Sequence, residues 1–328
     1  MIFDNLSRYG DSIALLDDAG RSLTFEELIR AADSFSEQLT PRRLIFILCS
    51  NHPSAIVGYV GALCKRVVPL LLSADIQSEQ LDRLIDIYKP SYVWASSARE
   101  FPEFQSLFDD GDFRLSKTNL PPFRLNDELA LLLSTSGSTG SPKLVRQSYR
   151  NISANTQSIV EYLKLTPADR AITSMPMYYT YGLSIIQTQL NCGGSLIVTE
   201  ANILQRRFWD LLKEHRATNF GGVPYTYEML KRMRFERMQL PSSMRFITQA
   251  GGKLAPNLTA EFVNACQAKG IEFITMYGAC EATARMSFLP WQDAPRKIGS
   301  IGIAIPGGRF SIGSLETDAE IDRPDVEG

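Results

Sequence analysis

The run STSGSTGS at residues 134–141, followed by Pro142 and Lys143, crowds hydroxyls, glycines and an ammonium group into one short stretch. Such a set can wrap an anion. Gly137 and Gly140 let the backbone turn tightly and approach a ligand. Successive N–H groups, the hydroxyls of Ser136, Ser138 and Thr139, and the Lys143 ammonium can then converge on phosphate oxygens. The same composition also suits a flexible linker. Its position favours the cradle, because it follows the apolar run 129–133 and precedes a helical pattern at 149–163. A strand, a Gly-rich loop and a helix form a recurrent phosphate site. Two common versions are excluded. A Walker loop needs Gly-Lys-Ser/Thr, whereas Lys143 stands between Pro142 and Leu144, and no GxGxxG occurs.

Other chemistries find little support. The two histidines, His52 and His215, lie in unrelated contexts, and no GxSxG elbow is present, which disfavours a Ser-His-Asp hydrolase. Five scattered cysteines without a CxxC pair point to reduced thiols rather than disulfides or zinc. The formal net charge of -2 and the lack of a basic run disfavour a nucleic-acid partner. The longest apolar stretches fall far short of the roughly 20 residues of a membrane span. The N-terminus lacks the basic start and apolar core of a signal peptide, so a cytoplasmic protein is expected.

The rest of the chain has to position the loop. Its 328 residues exceed what one compact core usually holds, so two or three subdomains are expected. Residues 22–40 read as a capped amphipathic helix, with Thr24 ahead of Glu26 and Glu27. Residues 44–49 and 67–72 read as buried strands around a helix at 54–65, which is a parallel βαβ unit. A helix at 79–89 and a strand at 92–95 follow, and residues 110–127 read as a connecting loop. Beyond the Ser/Thr/Gly run, strands are expected at 171–174, 195–198, 246–249 and 272–276. Helices are expected at 149–163, 208–215, 225–234 and 258–269. The alternation predicts an α/β fold with parallel sheets in two stacked subdomains over 1–298. Residues 299–328, Gly-rich with short apolar alternation, read as the start of a small antiparallel unit.

Taken together, these residues resemble the adenylate-forming (AMP-binding) superfamily, which includes acyl- and aryl-CoA synthetases. Residues 136–143 look like its phosphate loop. Met276-Tyr277-Gly278-Ala279-Cys280-Glu281 looks like its Tyr-Gly-x-Thr-Glu element, and Ala250-Gly251-Gly252 like the turn beside the adenine. Residues 176–182 are similar to a Pro-x-x-His-x-x-Gly segment, and 299–307 to the stretch leading into a small β-barrel. The resemblance spans the whole chain in order. It implies the large N-terminal portion of such an enzyme, with a C-terminal domain of about a hundred residues lying beyond residue 328. That absence implies weak activity for this chain alone.

The implied reaction has two steps. A carboxylic acid reacts with Mg-ATP to give an acyl-adenylate and pyrophosphate, and a thiol of coenzyme A or an acyl carrier protein then takes the acyl group. On this reading Ser136, Ser138, Thr139, the loop N–H groups and Lys143 hold phosphate oxygens. Glu281 ligates Mg²⁺, a hard cation suited to carboxylate oxygen, and Tyr277 stacks on the adenine. The acyl pocket is expected from Tyr179, Tyr181, Gly221, Gly222, Val223, Ala250, Met276 and Ala279. Being mostly apolar or small, it suggests a hydrophobic or aromatic acid. Residue by residue, plainer readings stand beside these: Tyr277 as core, Glu281 as a helix-start carboxylate, Gly251-Gly252 as a strand-end turn, and the tyrosines at 178, 179 and 181 as an aromatic cluster. Arg285 reads first as a solvated surface charge and second as a partner for an anion. The sequence departs from the family pattern at Cys280, where Thr is usual, at Tyr179, where His is common, and at Leu144, where Gly is common. A non-catalytic nucleotide- or acyl-adenylate-binding module is the alternative from a different class.

Overall fold

The computed structural model describes residues 2–134, 144–313 and 320. Strands β1 (Ile13–Asp17) and β2 (Ser22–Thr24) lead into helix α1 (Phe25–Glu37), then β3 (Leu44–Cys49), α2 (Pro53–Cys64), β4 (Val68–Ser73), α3 (Ser78–Tyr88) and β5 (Tyr92–Ser96). Next come β6 (Gln105–Asp109), β7 (Phe113–Lys117), β8 (Leu129–Ser134), β9 (Leu144–Ser148) and α4 (Tyr149–Tyr162). The second half runs β10 (Arg170–Ile172), α5 (Thr180–Cys192), β11 (Ser195–Val198), α6 (Arg206–Glu214), β12 (Asn219–Gly222), α7 (Pro224–Arg232), β13 (Phe246–Gln249) and α8 (Pro256–Ala268). It closes with β14 (Glu272–Tyr277), β15 (Ser287–Phe288) and β16 (Ile303–Ala304).

Among the described residues the strands form two sheets. One has the order β6-β7-β5-β3-β4-β8-β9, the other β16-β15-β14-β13-β12-β10-β11-β1-β2. Their centres are parallel, as runs of continuous apolar residues require. Strand β3 is buried along its whole length. Its side chains alternate between faces: Ile45 and Ile47 enter a core shared with α1, α2, α4, α5 and the second sheet, whereas Leu44, Phe46 and Leu48 pack with residues of α3. The opposite face of the second sheet is covered by α6, α7 and α8. The expected cap of α1 is present. Thr24 Oγ1 accepts from the Glu27 N–H at 3.2 Å, and the Glu27 carboxylate accepts from the Thr24 N–H at 2.8 Å.

Strands β1, β2, β6 and β12 were not expected, residues 22–24 being strand rather than the start of α1, and three further differences concern β7, β9 and α5. Within 110–127, β7 pairs antiparallel with β5 and buries Phe113 and Leu115; its alternation is hidden between Asp- and Pro-rich flanks. Strand β9 stands between residues 135–143 and α4, paired antiparallel with β8 through Leu133↔Val145 and Ser134↔Leu144. The Ser/Thr/Gly run therefore joins two strands, and the helix N-terminus invoked for it belongs to the next turn of chain. Helix α5 carries no polar face, since nearly every residue from Thr180 to Cys192 is buried, so no amphipathic stripe marks it in the sequence.

Candidate functional site

The chain passes from β10 to β11 on one side and reaches β12 on the other, so the direction of strand addition reverses beside β10. Ligand crevices of open α/β sheets form at such a point, outside the carboxyl ends of the strands. A cavity of about 260 Å³ opens nearby, at the carboxyl ends of β13 and β14. Tyr179, Thr180 and Tyr181 line it from the start of α5, and Ala250 and Gly251 from the end of β13. Tyr277, Gly278, Ala279, Cys280 and Glu281 line it from the turn after β14, with Ala284 and Arg285 beyond them. A second cavity of about 500 Å³ shares Gly251, Tyr277 and Gly278 and extends past Gln249, Gly252, Met276 and Ser300. Tyr277 stands at the boundary and is 45% exposed, which excludes the reading of this residue as core.

The turn after β14 is a closed hairpin tip. Strand β14 pairs antiparallel with β15, the Met286 N–H donates to the Tyr277 carbonyl at 2.8 Å, and the Ala284 N–H to the Ala279 carbonyl at 3.2 Å. Gly278 is required there, because a Cβ at this position would lie 1.7 Å from the Ala284 carbonyl oxygen. The first sheet supports the tip: Gln147 of β9 donates to the Cys280 carbonyl at 3.0 Å, and Asn155 of α4 to the Arg285 carbonyl at 2.7 Å. The strand that follows the Ser/Thr/Gly run thus touches the turn that carries Cys280 and Glu281.

Polar side chains make up much of the cavity lining. Cys280 Sγ and Thr180 Oγ1 are hydrogen-bonded at 2.7 Å, and either can donate. The Tyr181 hydroxyl donates toward Thr248, 2.9 Å from its carbonyl and 2.6 Å from its hydroxyl. Burial pushes the Tyr181 hydroxyl well up, so it stays a neutral donor. Tyr179 is also raised, chiefly by burial and then by the neighbouring Cys280. Glu281 is exposed at the cavity.

The structure gathers most of the predicted residues and separates some. Tyr179, Tyr181, Ala250, Gly251, Tyr277, Gly278, Ala279, Cys280 and Glu281 share one cavity. Gly252 and Met276 line the adjoining one. Gly221, Gly222 and Val223 lie outside both linings. Gly221 faces the Tyr181 hydroxyl, Gly222 faces Thr226, and Val223 approaches Gly251. Ser136, Gly137, Ser138, Thr139, Gly140 and Lys143 lie outside the described residues. Glu281 sits in a short 3-10 turn, Cys280–Ala282, so the helix-start reading has no long helix to rest on. Arg285 corrects the sequence reading: it is 3% exposed and not a surface charge. Thr180 and Gln147 were not singled out. A Thr and a Gln carry no local mark of a site, whereas the apolar neighbours of Arg285 in ARMSFL could have signalled burial. No group of three or more potential metal ligands occurs among the described residues. No described helix is long and apolar enough to cross a membrane.

Comparison with known proteins bears on the family and the fold. A family model described as AMP-binding enzyme matches residues 2–328. A 2-succinylbenzoate–CoA ligase of Enterococcus faecalis is 31% identical over 176 residues, 54% of this chain and 35% of the relative. A sulfoacetate–CoA ligase of Cupriavidus necator is 31% identical over 214 residues, 65% of this chain and 40% of the relative. The solved o-succinylbenzoate CoA synthetase of Bacillus subtilis, in complex with an acyl-adenylate intermediate, superposes with a TM-score of 0.81 at 20% identity. That match covers 99% of this chain and 67% of the other. It establishes the fold expected above, that of the N-terminal part of adenylate-forming enzymes. The chain spans well under half the length of the first two relatives.

Proposed function

The chain belongs to the AMP-binding enzyme family, and from that premise we propose that it activates a carboxylic acid as an acyl-adenylate for transfer to the thiol of coenzyme A. One observation carries the reading: Tyr277, Cys280 and Glu281 are held by a single hairpin tip around one crevice at the carboxyl ends of β13 and β14. In the first step a carboxylate oxygen bonds to the α-phosphorus of ATP and the bond to the pyrophosphate oxygen breaks. In the second a thiolate bonds to the acyl carbon and AMP leaves with the electron pair.

The chain's own residues bind, orient and neutralise. The half-exposed Tyr277 offers a flat ring face for a purine. Glu281 supplies the carboxylate oxygen a hard cation prefers, and a bound Mg²⁺ there would neutralise phosphate charge. Ser136, Ser138, Thr139 and Lys143 donate to phosphate oxygens on the same reading. The Thr180 hydroxyl, paired with Cys280, can contribute the donor that a Thr at position 280 would offer.

Calorimetry of AMP and ATP binding tests the assignment. Lys143→Ala and Glu281→Ala should each weaken ATP by about tenfold or more, as loss of a charge-assisted contact implies. Two variants that bind like the wild type would remove these residues from the site.

A further inference from the structure

The cavity holds a charge that has no ion-pair partner among the described residues. An arginine stays charged inside a protein, and a buried charge is costly unless something pairs with it. Arg285 is 3% exposed and lines the cavity with Tyr181, Ala250 and Glu281. Its Nη1 donates to the Tyr162 hydroxyl at 3.1 Å and toward Met276 sulfur at 3.3 Å, both neutral acceptors. Its Nε is buried without a partner. The guanidinium carbon sits 5.2 Å from the centroid of the Tyr181 ring. A π face is a modest substitute for an anion. No ion pair among the described residues includes Arg285, Glu281 of the same lining included.

The side chain is also held in place. Its backbone is bracketed by Asn155, whose side-chain amide donates to the Arg285 carbonyl and whose oxygen accepts from the Arg285 N–H. Tyr162 stacks on Phe288 with centroids 4.2 Å apart, so the residue that accepts the hydrogen bond from Nη1 is itself fixed. A rigid, buried guanidinium that lines a cavity and keeps an unpaired Nε is suited to recognition of a planar or tetrahedral anion.

We infer that Arg285 is the anion-recognition residue of the acyl pocket, and that the acid this chain takes carries a second anionic group, a carboxylate or sulfonate, besides the carboxylate that is adenylated. The inference rests on the acid-activation reading above. It replaces the expectation of a purely hydrophobic acid. Tyr181 and Ala250 still supply apolar walls, but the cavity also contains a fixed positive charge.

The test uses acyl-sulfamoyl-adenosines, which mimic the adenylate without reacting, in pairs that differ only at the far end: succinyl against butyryl, and adipoyl against hexanoyl. Calorimetry with the wild-type chain should show a carboxylate-ended member bound at least about tenfold more tightly than its methyl-ended partner. Arg285→Gln should erase that preference by weakening the carboxylate-ended member about tenfold, with the methyl-ended one and AMP changed less than about twofold. Arg285→Lys, which keeps the charge but not the fork, should fall between. AMP affinity retained by Arg285→Gln reports an intact fold. Wild-type binding of AMP with no preference in either pair, or an equal loss of both members in Arg285→Gln, would overturn the inference and leave the acid-activation reading standing. Failure of the wild type to bind AMP and every analogue would overturn both.

Discussion

Replacing Gly278 by alanine tests whether the hairpin tip organises the site. A new Cβ would lie 1.7 Å from the Ala284 carbonyl oxygen and 2.8 Å from its carbon. Backbone, not a pliable side chain, is in the way, so the strand returning through Ala284 has to retreat by about 1 Å or more, and overpacking of this kind costs about 1–3 kcal/mol. The retreat pulls on the Ala284 N–H to Ala279 and Met286 N–H to Tyr277 hydrogen bonds. Losing one of them adds about 1 kcal/mol. The expected total is about 2–4 kcal/mol. Because Cys280, Glu281 and Arg285 ride on the same tip, AMP affinity should fall with stability. Urea unfolding followed by tryptophan fluorescence gives the first quantity and calorimetry the second. Gly313→Ala is the control, since it lies outside both cavity linings and its Cβ would meet nothing within 4 Å. Wild-type stability and AMP affinity in Gly278→Ala would refute the close packing of the tip and its role in binding.

Tyr181→Phe should cost only about 1 kcal/mol in urea unfolding, because the Tyr227 hydroxyl still donates to the Thr248 carbonyl at 2.6 Å; a loss above about 3 kcal/mol would mean the two hydroxyls do not share that acceptor. Cys280→Thr should bind AMP as tightly as the wild type or more tightly, because a hydroxyl replaces a weak thiol donor beside Thr180; a large loss by calorimetry would give the thiol a role of its own. Burial alone would raise the Asp17 carboxyl, but hydrogen bonds from the Arg21 side chain and backbone and from the Ala19 N–H outweigh it and hold the group below its ordinary value. A lowered folded value stabilises above the unfolded one, about 3.9, and that stability is lost as pH falls through the folded value. The stability gap between wild type and Asp17→Asn should therefore be constant near neutrality and close below about pH 4; a gap that persists to pH 2 would contradict the assignment.

The sequence was most legible where one force acted alone. Continuous apolar runs marked β3, β4 and β8, since strands buried on both faces need no polar side. Thr24 with Glu27 marked the start of α1, because the capping box is a local arrangement. Elements whose signals depend on tertiary partners were hidden. Strand β9 reads as LVRQS, with a charge and an amide, and exists because β8 lies beside it. Helix α5 contains Gln187 and Gln189, which pass for surface residues, yet Gln187 donates to the Tyr59 hydroxyl inside the core. The site shows the same division. Tyr277 to Glu281 could be found as a contiguous motif, whereas Arg285 was misplaced because an arginine near a turn is usually solvated, and only packing against Tyr162, Tyr181 and Met276 puts it indoors.

The central claim, acid activation through an adenylate, is tested most directly by ATP–pyrophosphate exchange with the full-length gene product and a panel of carboxylic acids. The account predicts exchange of labelled pyrophosphate into ATP that depends on added acid, is abolished by chelating magnesium, and is lost in Glu281→Ala. ATP bound without acid-dependent exchange for any acid, monoanionic or dianionic, would contradict it and leave a nucleotide-binding module in its place.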